Sequence, residues 1–325
     1  MTLRTSLASI GLVCAVGLLP VLCTAQDYPS RAIQFIIPST PGTTGDQLAR
    51  LFGPKLSQRW NVPVVVENKV GAGGLIGIEA GARASPDGYT FLLSATAFST
   101  LPTLHPQLAY DPIKSFSPVV LLGSSPLVLA VTSRMPVKTV REFIDYAKKQ
   151  PPGKLNYASP GIGSVHHLTM ELFKQQTGLS LIHIPYKGTG GALNDLAAGH
   201  VDASIVVLQS VLSLARAGKI RVLAVTGTER VAQFPQVPTL AQAGVPNVVS
   251  EAWFGLTAPA GTSQSVIAKM NTEINSLLAL SEVKDSMTNA GVEPIGGTPE
   301  KLDELVRREL KTWGRVVKKG HITAD

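Results

Sequence analysis

Four segments of this chain place glycines at the end of an apolar run, three of them together with hydroxyls, a composition that can hold a small anion on backbone amides. The first is Pro38-Ser39-Thr40-Pro41-Gly42-Thr43-Thr44-Gly45-Asp46. Glycine lets the backbone approach a ligand closely. Hydroxyls and the free amides of a helix end can then hold a carboxylate without an arginine. The same residues also suit a plain turn with Thr44 or Asp46 capping a helix. They are no phosphate-binding lysine loop, because the lysine and its spacing are missing. The second segment carries Gly71, Gly73 and Gly74. A dinucleotide fingerprint would need its third glycine at position 76, where Ile76 stands, so tight packing of a helix on a strand explains this loop equally well. The third runs from Asn156 through Ser159, Gly161 and Gly163 to Ser164, a natural helix cap; Val165 and His166 follow, so it is no nucleophile elbow. The fourth is Pro185-Tyr186-Lys187-Gly188-Thr189-Gly190-Gly191, where Tyr186 could lie against a ligand and Lys187 attract it.

Other chemistries find less support. His166 and His167 are adjacent and point to different faces of a helix. His167 with Glu171 makes only a two-ligand pair, so no metal site is expected. Ser164, His183 and Asp202 compose a hydrolytic triad on paper, with nothing in their spacing to assemble it. No catalytic residue and no cofactor are expected. Trp60, Trp253 and Trp313 are far apart and read as core or hinge residues.

The elements that must position these loops alternate. Residues 33–37, 62–66, 90–93, 119–122 and 127–131 read as strands, with helical periodicity at 47–56 and 75–84. Thr139 with Glu142 forms a capping box for a helix to Lys149. The second half repeats the pattern: strands at 155–158, 181–184, 203–207, 220–225 and 254–258, helices at 165–176, 192–198 and 211–217. Three helices close the chain, at 263–280, 282–290 and 299–318. This alternation predicts an α/β fold with parallel sheets. The runs 127–131 and 254–258 lack polar alternates. Side by side, they would link two lobes, 26–126 plus 251–325 and 127–250, with a cleft between.

The first 25 residues have the layout of a cleavable signal peptide: Arg4, an apolar run over 7–22, no acid before Asp27, and Cys23-Thr24-Ala25 before the cut. A membrane anchor would need roughly 20 apolar residues, and Pro20 interrupts this run. Both cysteines, Cys14 and Cys23, fall in this leader, so the exported protein would carry no disulfide and rely on core packing. The formal net charge is +7 with scattered basic residues, which argues against nucleic-acid binding and for weak attraction of anionic solutes.

A set of ordered motifs carries more than any one loop. Tyr28-Pro29, Arg31 and Ile33 precede Pro41-Gly42, Asp46 and Ala49-Arg50. Then come residues 64–77, reading VVVENKVGAGGLIG, Pro86-Asp87-Gly88-Tyr89-Thr90, the run from Asn156 to Leu168, Pro185 to Gly188, Val237 to Gly244 and Ala258 to Thr262. Almost the whole chain beyond the leader thereby resembles the Bug family of extracytoplasmic solute receptors, the binding proteins of tripartite tricarboxylate transporters.

The resemblance implies a two-lobed type II periplasmic-binding-protein fold that closes on a small organic acid. It implies that one carboxylate sits on the first strand–helix loop, at Thr40, Gly42, Thr43 and Thr44. Gly74 and Leu75, the segment Ser94-Ala95-Thr96, Ser159, Gly163 and Ser164, and Tyr186, Gly188 and Thr189 would support it. The sequence departs from the family pattern at Thr43, where a second glycine is usual, at Leu75, where Asn is usual, and at Phe98 and Leu101, where polar residues are usual. These changes predict a ligand more apolar than citrate or aspartate. The function implied is periplasmic capture of a carboxylate by a monomer and its delivery to membrane permease subunits. The same capture could instead report to a two-component sensor kinase, and a third reading is a periplasmic hydrolase using Ser164.

Overall fold

A computed structural model describes residues 28–105 and 107–324. The expected signal peptide lies outside the described residues. The first half contains β1 (Ile33–Ile37), α1 (Thr44–Trp60), β2 (Val64–Asn68), α2 (Leu75–Ala82), β3 (Thr90–Ala95), α3 (Ala97–Leu104) and β4 (Phe116–Thr132). It continues with α4 (Val140–Lys149), β5 (Asn156–Ser159), α5 (Val165–Thr177), β6 (Ile182–Pro185), α6 (Thr189–Ala198), β7 (Ala203–Val207), α7 (Leu208–Arg216) and β8 (Ile220–Val225). The chain then returns through β9 (Glu251–Pro259), α8 (Gln264–Leu278), α9 (Ser281–Asn289), β10 (Glu293–Pro294) and α10 (Pro299–Gly320).

β4 organises the molecule. Its 17 residues include the apolar runs 119–122 and 127–131, which are one continuous strand rather than two. Positions 116–126 pair antiparallel with β9, and positions 127–132 pair antiparallel with β7 and β8 on either side. The run 254–258 therefore lies beside the first half of β4, not beside 127–131. Around the first half lies the order β2-β1-β3-β9-β4, and around the second β4-β7-β5-β6. The expectation of parallel sheets holds for β2-β1-β3 and for β7-β5-β6. β3–β9 and every pairing of β4 are antiparallel, so the sheets are mixed. In the first sheet the returning strand β9 lies antiparallel to both β3 and β4, and in the second β4 itself runs against β7 and β8; single-strand periodicity does not encode these directions. Where β10 crosses β4, a side chain at Gly123 would meet the Glu293 carbonyl at 2.4 Å, so only glycine fits.

Each sheet is covered on both faces. Phe35, Phe52, Phe91 and Met270 fill one side of the first sheet; Ile36, Leu92, Phe98 and Trp253 fill the other. In the second sheet, Leu129, Tyr157 and Phe173 oppose Val128, Leu193 and Val211. α10 begins in the first sheet's core with Leu302 and Val306 and ends in the second's with Trp313, Val316 and Val317. Burial of a large apolar side chain contributes roughly 1.5–3 kcal/mol, so both ends of this helix are fastened. Thr139 caps α4 as expected, accepting from Glu142 N at 3.1 Å, while Glu142 accepts from Lys138 N rather than from the cap residue itself.

Candidate functional site

The candidate loops fall into two groups, one at each sheet. β1, β2 and β3 run parallel, so the loops that follow them share one sheet edge. A side chain at Gly74 would come within 3.1 Å of the Pro38 carbonyl, so the glycine loop lies directly on the 38–46 loop. β5 and β6 are likewise parallel neighbours. Their loops join through Tyr186 N to the Ser159 carbonyl at 2.9 Å and Gly188 N to the Pro160 carbonyl at 3.0 Å. The two groups meet where the end of α3 abuts the loop before α5. A side chain at Gly163 (φ +75) would collide with Leu104 Cδ1 at 2.2 Å.

The 38–46 loop is built around Asp46, which is 3% exposed. Its carboxylate accepts from Gly42 N at 2.9 Å, from Arg50 Nε at 3.0 and 3.1 Å, and from Asn68 Nδ2 at 3.0 Å. Burial opposes the charge, but these donors outweigh it and hold the carboxyl below its usual range. Ser39 and Thr43 share a hydroxyl bond of 2.7 Å, and Thr43 Oγ1 donates to the Thr40 carbonyl at 2.9 Å. Thr43 is thereby drawn backward, and α1 has no side-chain cap. Its first amides, those of Thr44, Gly45 and Asp46, have no side-chain partner among the described residues, and the positive end of the helix dipole lies behind them. Gly42 N is spent on Asp46, so the amides free to take an anion are those of Thr44 and its successors. α6 is also uncapped at Gly188, whereas α5 is capped by Ser164 Oγ, which accepts from His167 N at 3.3 Å.

Other expected site residues shape the loops. Ser94 is fully buried and its hydroxyl has no partner. Ala95 is half-buried at the end of β3, and the Thr96 hydroxyl accepts from Trp253 N at 3.1 Å. Ser159 is fully buried, with its hydroxyl 2.7 Å from His183 Nε2. Gly163 donates its amide to His167 Nδ1 at 3.1 Å. Tyr186 donates its hydroxyl to Asp195 at 2.5 Å, and burial together with that carboxylate pushes it up to about 12. Thr40 and Gly42 are exposed; Thr43, Thr44, Gly188 and Thr189 are half-exposed. Leu75 packs partly on the core around Ile78, as does Leu101, which also lies 3.9 Å from a side-chain position at Gly73. Phe98 is 1% exposed, against Tyr110 and Phe116, so its apolar character serves the core and not a ligand.

Sequence reasoning missed the stacked aromatic column behind the second loop group. His167 and His183 stack at 3.9 Å, with Tyr157 at 4.8 Å from His183. Burial, aided by mutual repulsion and Lys174, pushes His167 down to about 3, and burial pushes His183 down to about 4. His166, whose ring nitrogens are buried without partners, is pushed down to about 4 by burial. Glu171 accepts from Tyr157 at 2.5 Å and Lys174 at 2.6 Å. The paper triad spends its bonds elsewhere: Ser164 Oγ donates to the Gly161 carbonyl, His183 faces Ser159, and Asp202 accepts from Asn156 N. Only the pairing of strands distant in sequence brings these groups together, so spacing carried no signal for them.

Known proteins share this arrangement. Residues 48–322 match the family described as tripartite tricarboxylate transporter family receptor. Protein BugT of Bordetella pertussis is 36% identical over 320 residues, covering 98% of each chain. The structure of Rpa4515 from R. palustris with adipate superposes with a TM-score of 0.79 at 35% identity, covering 91% of this chain and 99% of that one. MatC from Rhodopseudomonas palustris with bound malate gives 0.75 at 32% identity, covering 89% and 100%. The chain therefore belongs to the tripartite tricarboxylate transporter receptor family, the solute-binding receptors to which the Bug proteins also belong.

Proposed function

We propose that this protein is a periplasmic receptor that captures a dicarboxylate with an apolar spacer and delivers it to transporter permease subunits. The carrying observation is the uncapped start of α1 at the carboxyl edge of the first sheet, beside the glycine loop. One carboxylate would take the amides of Thr44, Gly45 and Asp46, with the exposed Thr40 hydroxyl beside it. The uncapped start of α6 at Thr189 would receive the second, with Ser164 and Gly188 near it. Leu101 and Leu104 supply apolar surface between the loop groups, which favours adipate-like over malate-like ligands. Adipate and malate in the related structures support the class.

Lobes 26–126 plus 251–325 and 127–250 would close by population shift, because a ligand touching both loop groups favours the closed state. The division of β4 between two sheets supports this, with the last turns of α10 reaching across. The chain would leave the cytoplasm through its first 25 residues and act without catalysis. Calorimetry with adipate, malate and citrate tests the reading. Adipate should bind tightest; binding of citrate or malate alone would overturn it.

A further inference from the structure

A cavity of about 890 Å³ lies away from both loop groups, and none of the expected ligand residues lines it. Its walls come from α5, from the segment leading into β9, from β4 and from α10. The volume falls in the range of ligand pockets, roughly 300–1,000 Å³. Leu121, Leu172, Val249 and Leu305 supply apolar wall, with the buried tryptophans Trp253 and Trp313.

The charge on α10 is one-sided. Arg308, Thr312, Arg315 and Lys319 recur at spacings of four, three and four, so they form one stripe, and all four line the cavity. Arg308, Arg315 and Lys319 are exposed, and none makes an ion pair among the described residues. Arg315 reaches only the Lys311 carbonyl of its own helix, at 3.3 Å. By contrast Arg307, one position away, is paired with Asp303 at 2.7 Å. The helix dipole accounts for Lys319 in the last turn but not for Arg308 in the middle. Like charges at helical spacing repel.

Two carboxylates also line the cavity. Glu309 is turned inward, accepting from Ser99 Oγ at 2.5 Å and Trp253 Nε1 at 2.6 Å, and burial pushes it up. Glu251 is half-buried, also lines the cavity and makes no ion pair with any of the three cations. The stripe therefore faces a groove of mixed apolar and polar lining; Arg308 feels the charge of the neighbouring Glu309, but none of the cations is held in an ion pair among the described residues.

We propose that this cavity is a second binding site, for an organic anion with an apolar body, seated over Trp253 and Trp313 and held by Arg308, Arg315 and Lys319. The site is independent of the carboxylate cleft. The probe is 8-anilinonaphthalene-1-sulfonate, titrated into the whole protein and followed by its fluorescence and by energy transfer from tryptophan. Saturable binding is expected that weakens as salt is added. Arg308→Ala/Arg315→Ala should weaken it by roughly tenfold or more, with the thermal midpoint kept because both side chains are exposed. Gly42→Val, which addresses the carboxylate cleft, should leave it unchanged. Should the alanine pair melt early, Arg308→Gln/Arg315→Gln is measured instead and should weaken the probe equally. Unchanged probe affinity in the folded arginine variants, loss of the signal in Gly42→Val, or absence of saturable binding would each overturn the proposal.

Discussion

Gly42 and Asp46 together set the shape of the first loop. Gly42 sits at φ +84 with open space where a side chain would project, so the constraint on it is backbone conformation, not crowding. A β-branched residue there costs about 1–2 kcal/mol in the left-handed region. It also pulls the Gly42 amide off Asp46. Gly42→Val should fold yet bind adipate at least tenfold more weakly by calorimetry. Equal affinity would place the carboxylate elsewhere. Behind the other loops, His166, His167 and His183 stay neutral in the folded protein down to about pH 4, 3 and 4. The unfolded chain protonates them below roughly pH 6.5. Their folded values lie below the unfolded ones, so stability is complete above that pH and is lost as pH falls toward 4. Urea midpoints should therefore drop between pH 7 and pH 5 in the native protein and drop less in His167→Gln/His183→Gln. A native profile that stays flat would contradict the buried, neutral column.

At the scale of elements, the contrast between capped and uncapped helices matters most. α4, α5 and α8 begin with a side-chain cap; α1 and α6 at the candidate loops do not, nor do α2, α3, α7, α9 and α10, so what marks α1 and α6 is a bare start at a candidate loop that carries both glycine and hydroxyls. A ligand carboxylate can supply the missing cap. Thr43→Asp should therefore act in two directions at once. The new carboxylate caps α1 and stabilises the free protein by about 0.5–2 kcal/mol, and it repels and displaces the ligand. A thermal midpoint that rises while affinity falls would bear this out; affinity kept or improved would refute it. The caps were partly legible: Thr139 and Ser164 stand where their sequence predicts. The bare end of α1 was not, because Thr43 is a good cap by type and is diverted only by its bonds to Ser39 and Thr40.

For the whole molecule, β4 belongs to both sheets and α10 is buried in both cores. Neither half can then unfold without exposing part of the other. Calorimetric melting should show one transition, and adipate at a hundredfold its Kd should stabilise by about 2.7 kcal/mol as that single transition moves up. Two separable transitions would mean that the shared strand and helix do not couple the halves. This tie was the least legible feature. The runs at 119–122 and 127–131 each look like a short strand, and nothing in their periodicity joins them or assigns β9 to the first run.

The alternation of apolar runs with helical segments determined an α/β protein, and the positions of Gly42, Gly74, Gly163 and Gly188 located the loops at strand ends. Those are local properties, carried by side-chain period and by the few residues that tolerate left-handed backbone. The tertiary structure alone decided which hydroxyls are spent and which amides are free, and that Phe98 faces the core while Leu101 and Leu104 approach the loops. It also decided that His183 meets Ser159 and that three cations of α10 share one cavity. Each depends on contacts between segments far apart in the chain, which burial and strand pairing select and no local pattern records.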